Sequence, residues 1–240
     1  FRGKHFHYFE KEDIGYYNVP TPLTEIFAKS TFEQGQILDI LISVNLSPQY
    51  NFTLAHKGYK SLGNYLGTRS RGNQFRLSSN FNSKNKLTQW RFHLTSQNIF
   101  NQETAGLDPD SIYFFEQATD YFILDEDGKQ IINEDGSFKM IEYDGYLDRS
   151  RLGALILAEG SLYSKRFFSD FQRILIKNKD RNTLKAIYQF THEYKKIDFI
   201  DSNNSPIFGE IDEGITVSDQ SRFIEQEHKV ILSSDLNKIG

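Results

Sequence analysis

In the run Ile37–Leu46 the even positions carry Leu38, Ile40, Ile42, Val44 and Leu46, and the odd positions include Asp39, Ser43 and Asn45. Successive side chains of an extended strand point to opposite faces, so this segment makes one wholly apolar face and one mostly polar face. A helix would scatter the same residues around its circumference. Ser47-Pro48-Gln49 then breaks the run, because proline cannot donate to a continuing ladder. The alternation resumes with Tyr50, Phe52 and Leu54 against Asn51, Thr53 and Ala55. A second pair repeats the design. Phe75, Leu77, Ser79 and Phe81 alternate with Gln74, Arg76, Ser78, Asn80 and Asn82; Ser83–Lys86 turns the chain; Trp90, Phe92 and Leu94 alternate with Gln89, Arg91, His93 and Thr95.

Further strand-like runs occur at Leu152–Ala158, Arg166–Ile176, Leu184–Tyr194 and Ile224–Leu236. In the third of these, Leu184, Ala186, Tyr188 and Phe190 oppose Lys185, Gln189, Thr191 and Glu193. The opening stretch around His5–Phe9 also reads as a strand. Connections are unequal: short at 47–49 and 83–86, long and polar at 63–73, about 99–149 and 199–222. Outer-membrane barrels show this asymmetry, and Tyr50, Phe81 and Trp90 beside the short turns suit an interfacial aromatic girdle. Up-and-down counting of these runs puts the 178–182 connection at the long-loop end and 199–222 at the short-turn end, against their lengths. Either 99–149 holds another crossing, around Ile112–Leu124, or one of the later strands is misread.

Composition explains why such strands would face lipid. Hydrophobic residues make up only 38%, yet aromatics reach 15%, as suits a wall needing every second residue apolar and rings at both interfaces. No run of about 18 apolar residues exists, so a spanning helix is excluded, whereas a barrel strand needs only about 9–11 residues. The expected fold is all-β: an antiparallel transmembrane β-barrel, or a large part of one, with short periplasmic turns and long extracellular loops. Residues 1–240 read as a single barrel domain, and both ends, falling beside strand-like runs, suggest part of a longer chain. About nine or ten strands are visible, whereas a wide pore needs about 16. The candidate lipid-facing set is Leu38, Ile40, Ile42, Val44, Phe52, Leu54, Trp90 and Phe92. The candidate pore-lining set is Asp39, Asn45, Arg76, Arg91, Lys185 and Gln189. Arg76 and Arg91 stand at similar distances from the turn at 83–86, so they are expected side by side in the interior. Asp39, Glu193 or an acidic loop at Asp125–Asp127 would compensate them.

Other chemistry is thin. A net charge of −4 carries no basic stripe for nucleic acid. With no cysteine, neither a disulfide framework nor a thiolate metal site can form. Asp125-Glu126-Asp127-Gly128 and Asn133-Glu134-Asp135-Gly136 invite a calcium reading across 125–136, but the full spacing of a calcium loop is missing, and Asp-Gly is a strong hairpin signal. His5 and His7 could share a face, yet the six histidines make no metal-spaced set. His93 falls on the polar face, which is wrong for chemistry on lipid. No nucleophile, base and oxyanion set stands out, so neither enzyme activity nor a cofactor is expected.

The stretch Pro22–Leu107 resembles the putative-porin family of bacterial outer membranes. The residues that carry the likeness are Leu23–Lys29, Gln34–Asp39, Asn45–Pro48, Asn51–Leu54, Lys57–Tyr65 and Asn101–Gly106, with looser similarity at Asp148–Arg151 and Tyr163–Phe168. The resemblance implies an outer-membrane barrel and a pore for passive transport, with lipid as its surroundings and other outer-membrane subunits as possible partners. It names no solute. Two alternatives stay open: a closed or plugged accessory barrel in a larger outer-membrane complex, and a soluble all-β binding module.

Overall fold

The structure is a computed structural model describing residues 5, 7–31, 35–63, 65–117, 121–123, 125–126, 128–141, 152–178, 181–201 and 216–234. Eight strands form one antiparallel meander: β1 (Leu23–Thr31), β2 (Gly35–Ser47), β3 (Tyr50–Ser61), β4 (Ser70–Asn82), β5 (Thr88–Glu103), β8 (Ala158–Asn178), β9 (Arg181–Asp201) and β10 (Val217–Ser233). Each pairs with its sequence neighbour, save that β8 follows β5 directly in the sheet. The strands lengthen across the sheet, from 9 residues in β1 to 21 each in β8 and β9. The sheet is the kind of wall from which a barrel is rolled, and it is open: β1 and β10 are its two edges.

Topology settles the counting conflict. The connections at 48–49, 83–87 and 179–180 share one end, and those at 62–69, 104–157 and 202–216 share the other. Leu152–Ala158 is not a separate crossing. It runs back along Thr104–Asp108, with Ile156 N–H donating to the Thr104 carbonyl at 2.9 Å and Leu155 N–H to that of Gly106 at 3.0 Å. Ala158 then opens β8, of which Arg166–Ile176 is the middle. Nor do the described residues of 112–124 cross anything: Pro109–Gln117 is a helix, α1, and Tyr121–Phe122 (β6) pairs with Met140–Ile141 (β7) in a separate small sheet. The acidic turns are hairpin turns within it. Gly128 and Gly136 adopt φ of 76° and 81°, which glycine accepts without steric cost. Ser137 donates to Asp135 from its hydroxyl and its backbone N–H, holding that carboxyl below the usual range.

Strand β1 escaped the alternation test because both its faces are mixed, with Leu23 and Phe27 on the face of Glu25 and Lys29. The opening stretch is not a strand. Apart from a 3-10 turn at Lys11–Asp13, residues 7–22 are irregular.

The interior is polar. Among the described residues nine apolar ones are buried against eighteen polar or charged ones, while Ile26, Ile42, Leu46, Trp90, Ile224 and Val230 are exposed. A protein in water cannot gain much from that distribution, because apolar burial is its main driving force. Among the described residues no helix is long and apolar enough to cross a membrane.

Candidate functional site: the polar face and its N-terminal strap

Register aligns residues of one kind across strands. Asn45, Asn51, Asn80, Arg91, Asp170, Gln189 and Lys229 are successive cross-strand partners from β2 to β10. One residue away, on the opposite face, Tyr50, Phe81, Trp90, Phe171, Tyr188 and Val230 form the matching line from β3 to β10. Adjacent positions on six strands thus sort without exception into polar and apolar. Cross-strand neighbours lie about 4.5–5.5 Å apart, so each line is a continuous band. All six candidate pore-lining residues, Asp39, Asn45, Arg76, Arg91, Lys185 and Gln189, lie on the polar face. All eight candidate lipid-facing residues lie on the other.

The three arginines Arg76, Arg91 and Arg166 on the polar face are each paired with a carboxylate. Arg76 donates to Asp39 at 3.1 Å, and Lys57 approaches the same carboxylate at 3.8 Å. Arg91 engages Asp170, which is fully buried, through Nε at 3.0 Å and again through its terminal nitrogen. Arg166, its side chain 1% exposed, meets Glu193 at 2.8 Å, and Lys195 lies 3.2 Å from the other oxygen of Glu193. Arg76 and Arg91 are not neighbours. Arg76 faces Thr95, and Arg91 faces Asn80, four residues further along β4, which is about 13 Å at the ordinary rise of a strand. Asp39 compensates Arg76 as expected. Asp170, not Glu193 or the acidic loop, compensates Arg91.

Over this face lies a strap, residues 7–19. Its backbone belongs to no sheet, yet buried carbonyls need donors, and the polar face supplies them. Gln74 donates to the His7 carbonyl, Gln97 to Phe9 at 2.9 Å, Arg166 to Phe9 at 3.0 Å, Ser78 to Gly15 at 3.0 Å and Asn80 to Tyr17 at 3.4 Å. Gln97 also accepts from the Phe9 N–H at 2.9 Å. Near the short turns Asn45 accepts from the Val19 N–H and donates to Asn18.

Each of three aromatic rings in the strap sits on a cation of the sheet. Arg76 lies 4.4 Å and Lys57 5.6 Å from the Phe9 ring centre, Arg91 lies 5.1 Å from that of Tyr16, and Lys195 and Arg166 lie 5.0 and 5.4 Å from that of Tyr8. The phenols are bonded as well: Tyr16 shares a 2.8 Å hydrogen bond with His93 Nδ1, and Tyr8 bonds Ser164 and Glu193. Tyr8 also accepts from Arg166 at 2.9 Å. Alternation alone cannot reveal such a segment, because it has no period. The available signal was Gly15 with Pro20 and Pro22, which argue against regular structure.

Among the described residues no three His, Asp or Glu side chains converge as metal ligands. No curated protein and no solved structure matches the chain. The family model described as putative porin matches residues 1–236. With a two-faced antiparallel sheet and a family match along nearly its whole length, this chain belongs to the putative-porin family.

Proposed function

We propose that this chain forms the wall of a β-barrel in the bacterial outer membrane, through which small hydrophilic solutes pass passively. The observation that carries the reading is the pairing of an apolar aromatic line with a polar line one residue away, across six strands. In lipid the apolar line faces acyl chains and headgroups, and the polar line faces water in the lumen. Asp39, Asn45, Arg76, Arg91, Lys185 and Gln189 line that lumen. Leu38, Ile40, Ile42, Val44, Phe52, Leu54, Trp90 and Phe92 meet lipid.

Closure follows from the lipid environment, because edge strands strand their backbone groups there. Eight strands enclose a space that side chains fill or that holds at most one small ligand. Here a backbone segment carrying Tyr8, Phe9 and Tyr16 lies over the inner face as well. The closed barrel therefore has more than these eight strands, joined between β1 and β10.

The strap also favours a second reading, a barrel kept shut as an accessory subunit of a larger outer-membrane complex. Reconstitution separates the two. Purified protein in planar bilayers with stepwise, voltage-independent conductance supports the pore. Correctly folded, inserted protein that carries no current supports the accessory subunit.

A further inference from the structure

We infer that the strap is a displaceable constriction, and that Tyr8, Phe9 and Tyr16 with Arg166 set which solutes reach the polar face. The inference rests on reading that face as a lumen. Position is the first support. The strap's carbonyls are held by Gln74, Ser78 and Asn80. Their neighbours on the same strand, Phe75, Leu77 and Phe81, stand on the apolar face. The strap therefore occupies the interior at the depth of the apolar belt, where a solute has no way round through the wall.

The mode of attachment is the second support. Backbone ladders bind a strand cooperatively along its length, whereas this segment is held by individual side chains. The ion pairs Arg76–Asp39, Arg91–Asp170 and Arg166–Glu193 are complete within the sheet. Lifting the strap thus leaves no arginine among these three without its carboxylate and costs the sheet no ladder bond. Arg166 is the main anchor, reaching the Phe9 carbonyl, the Tyr8 hydroxyl and, at 3.4 Å, Glu10. Once the strap lifts, the polar face presents three guanidiniums, each beside its own carboxylate. A wall of fixed charge pairs favours polar and zwitterionic solutes over apolar ones.

The chain has no cysteine, so single-thiol labelling is clean. Ser78→Cys places a thiol beneath Gly15. Leu77→Cys, on the opposite face, reports unfolding in detergent. The probe is a water-soluble maleimide, applied to the full chain with and without Tyr8→Ala, Phe9→Ala and Tyr16→Ala together. Removing three rings, and with them five ring–cation contacts, is expected to raise labelling at position 78 by about tenfold or more, with position 77 unchanged. Equal labelling at 78 in both backgrounds overturns the proposal, as does a rise matched at position 77. Bilayer current measured on the same proteins tests the pore separately. A rise in conductance with the triple variant extends the proposal to transport. Absence of current in every variant overturns the transport reading, while the labelling still decides whether the strap is a displaceable cover.

Discussion

Ile42 and Ser43 are chain neighbours with opposite surroundings: Ile42 is 45% exposed on the apolar face and Ser43 is fully buried on the polar one. Ile42→Arg should therefore cost about 2–4 kcal/mol if the residue sits near the bilayer midplane, measured by reversible denaturant unfolding in lipid vesicles. A cost near zero would mean that lipid does not meet this face. The ion pairs differ in a way that can be ranked. Asp170→Asn removes a fully buried partner and weakens charge-assisted bonds to Arg91, an expected loss of about 1.5–3 kcal/mol. Asp39→Asn acts on a carboxylate that is 31% exposed, where water screens the pair, so the loss should not exceed about 1 kcal/mol. The same unfolding measurement checks both, and the reverse order would contradict the burial seen here.

At the scale of elements, β4 shows how closely parity is tied to fold. Its even residues Gln74, Ser78 and Asn80 hold the strap, and its odd residues Phe75, Leu77 and Phe81 build the apolar face. One residue inserted after Leu77 reverses every later side chain, because strand periodicity is two. That variant should fail to give the compact, heat-modifiable band of a folded barrel on cold gel electrophoresis, whereas a two-residue insertion at the same place should retain part of it.

Parity is also what made β2 to β5 legible in the sequence: alternation there is nearly unbroken, so faces could be assigned from residue types alone. Register was not legible. The β4–β5 loop uses five residues, 83–87, with Lys86 at φ 56°, and Asn82 pairs with Gln89. A four-residue turn centred near 84–85 would put Arg76 opposite His93, two residues from its real partner Thr95, and Arg91 lies two residues further again toward the turn. In β8 a glycine and several serines interrupt the apolar series, so one 21-residue strand read as a shorter run, Arg166–Ile176, with a separate run at Leu152–Ala158 before it. The strap left only a false trace, the strand-like alternation at His5–Phe9, since its structure is dictated by donors on the sheet beneath it.

For the whole molecule, the inversion of interior and exterior dictates behaviour in solution. A chain with Trp90, Phe171, Tyr188 and Val230 in one outward line should partition to the membrane fraction and leave it only with detergent. Recovery of monodisperse protein from a detergent-free extract would exclude the barrel reading altogether.

Strands β8 and β9 have 21 residues each. At the usual rise that is about 70 Å of chain, or about 50 Å of height at a tilt near 40°, against an apolar belt about 25 Å tall. From Phe171, 7 residues of β8 run on toward the short turn and 13 toward the far end, so in the proposed barrel the surplus stands out on both sides of the belt. Helix α1 and the small β6–β7 sheet are carried in the long connection at the far end, where in the proposed barrel the strands stand about 10 Å beyond the belt. On the barrel reading, that end, with α1 and the small sheet, is what a protease or an antibody added outside the membrane would touch first.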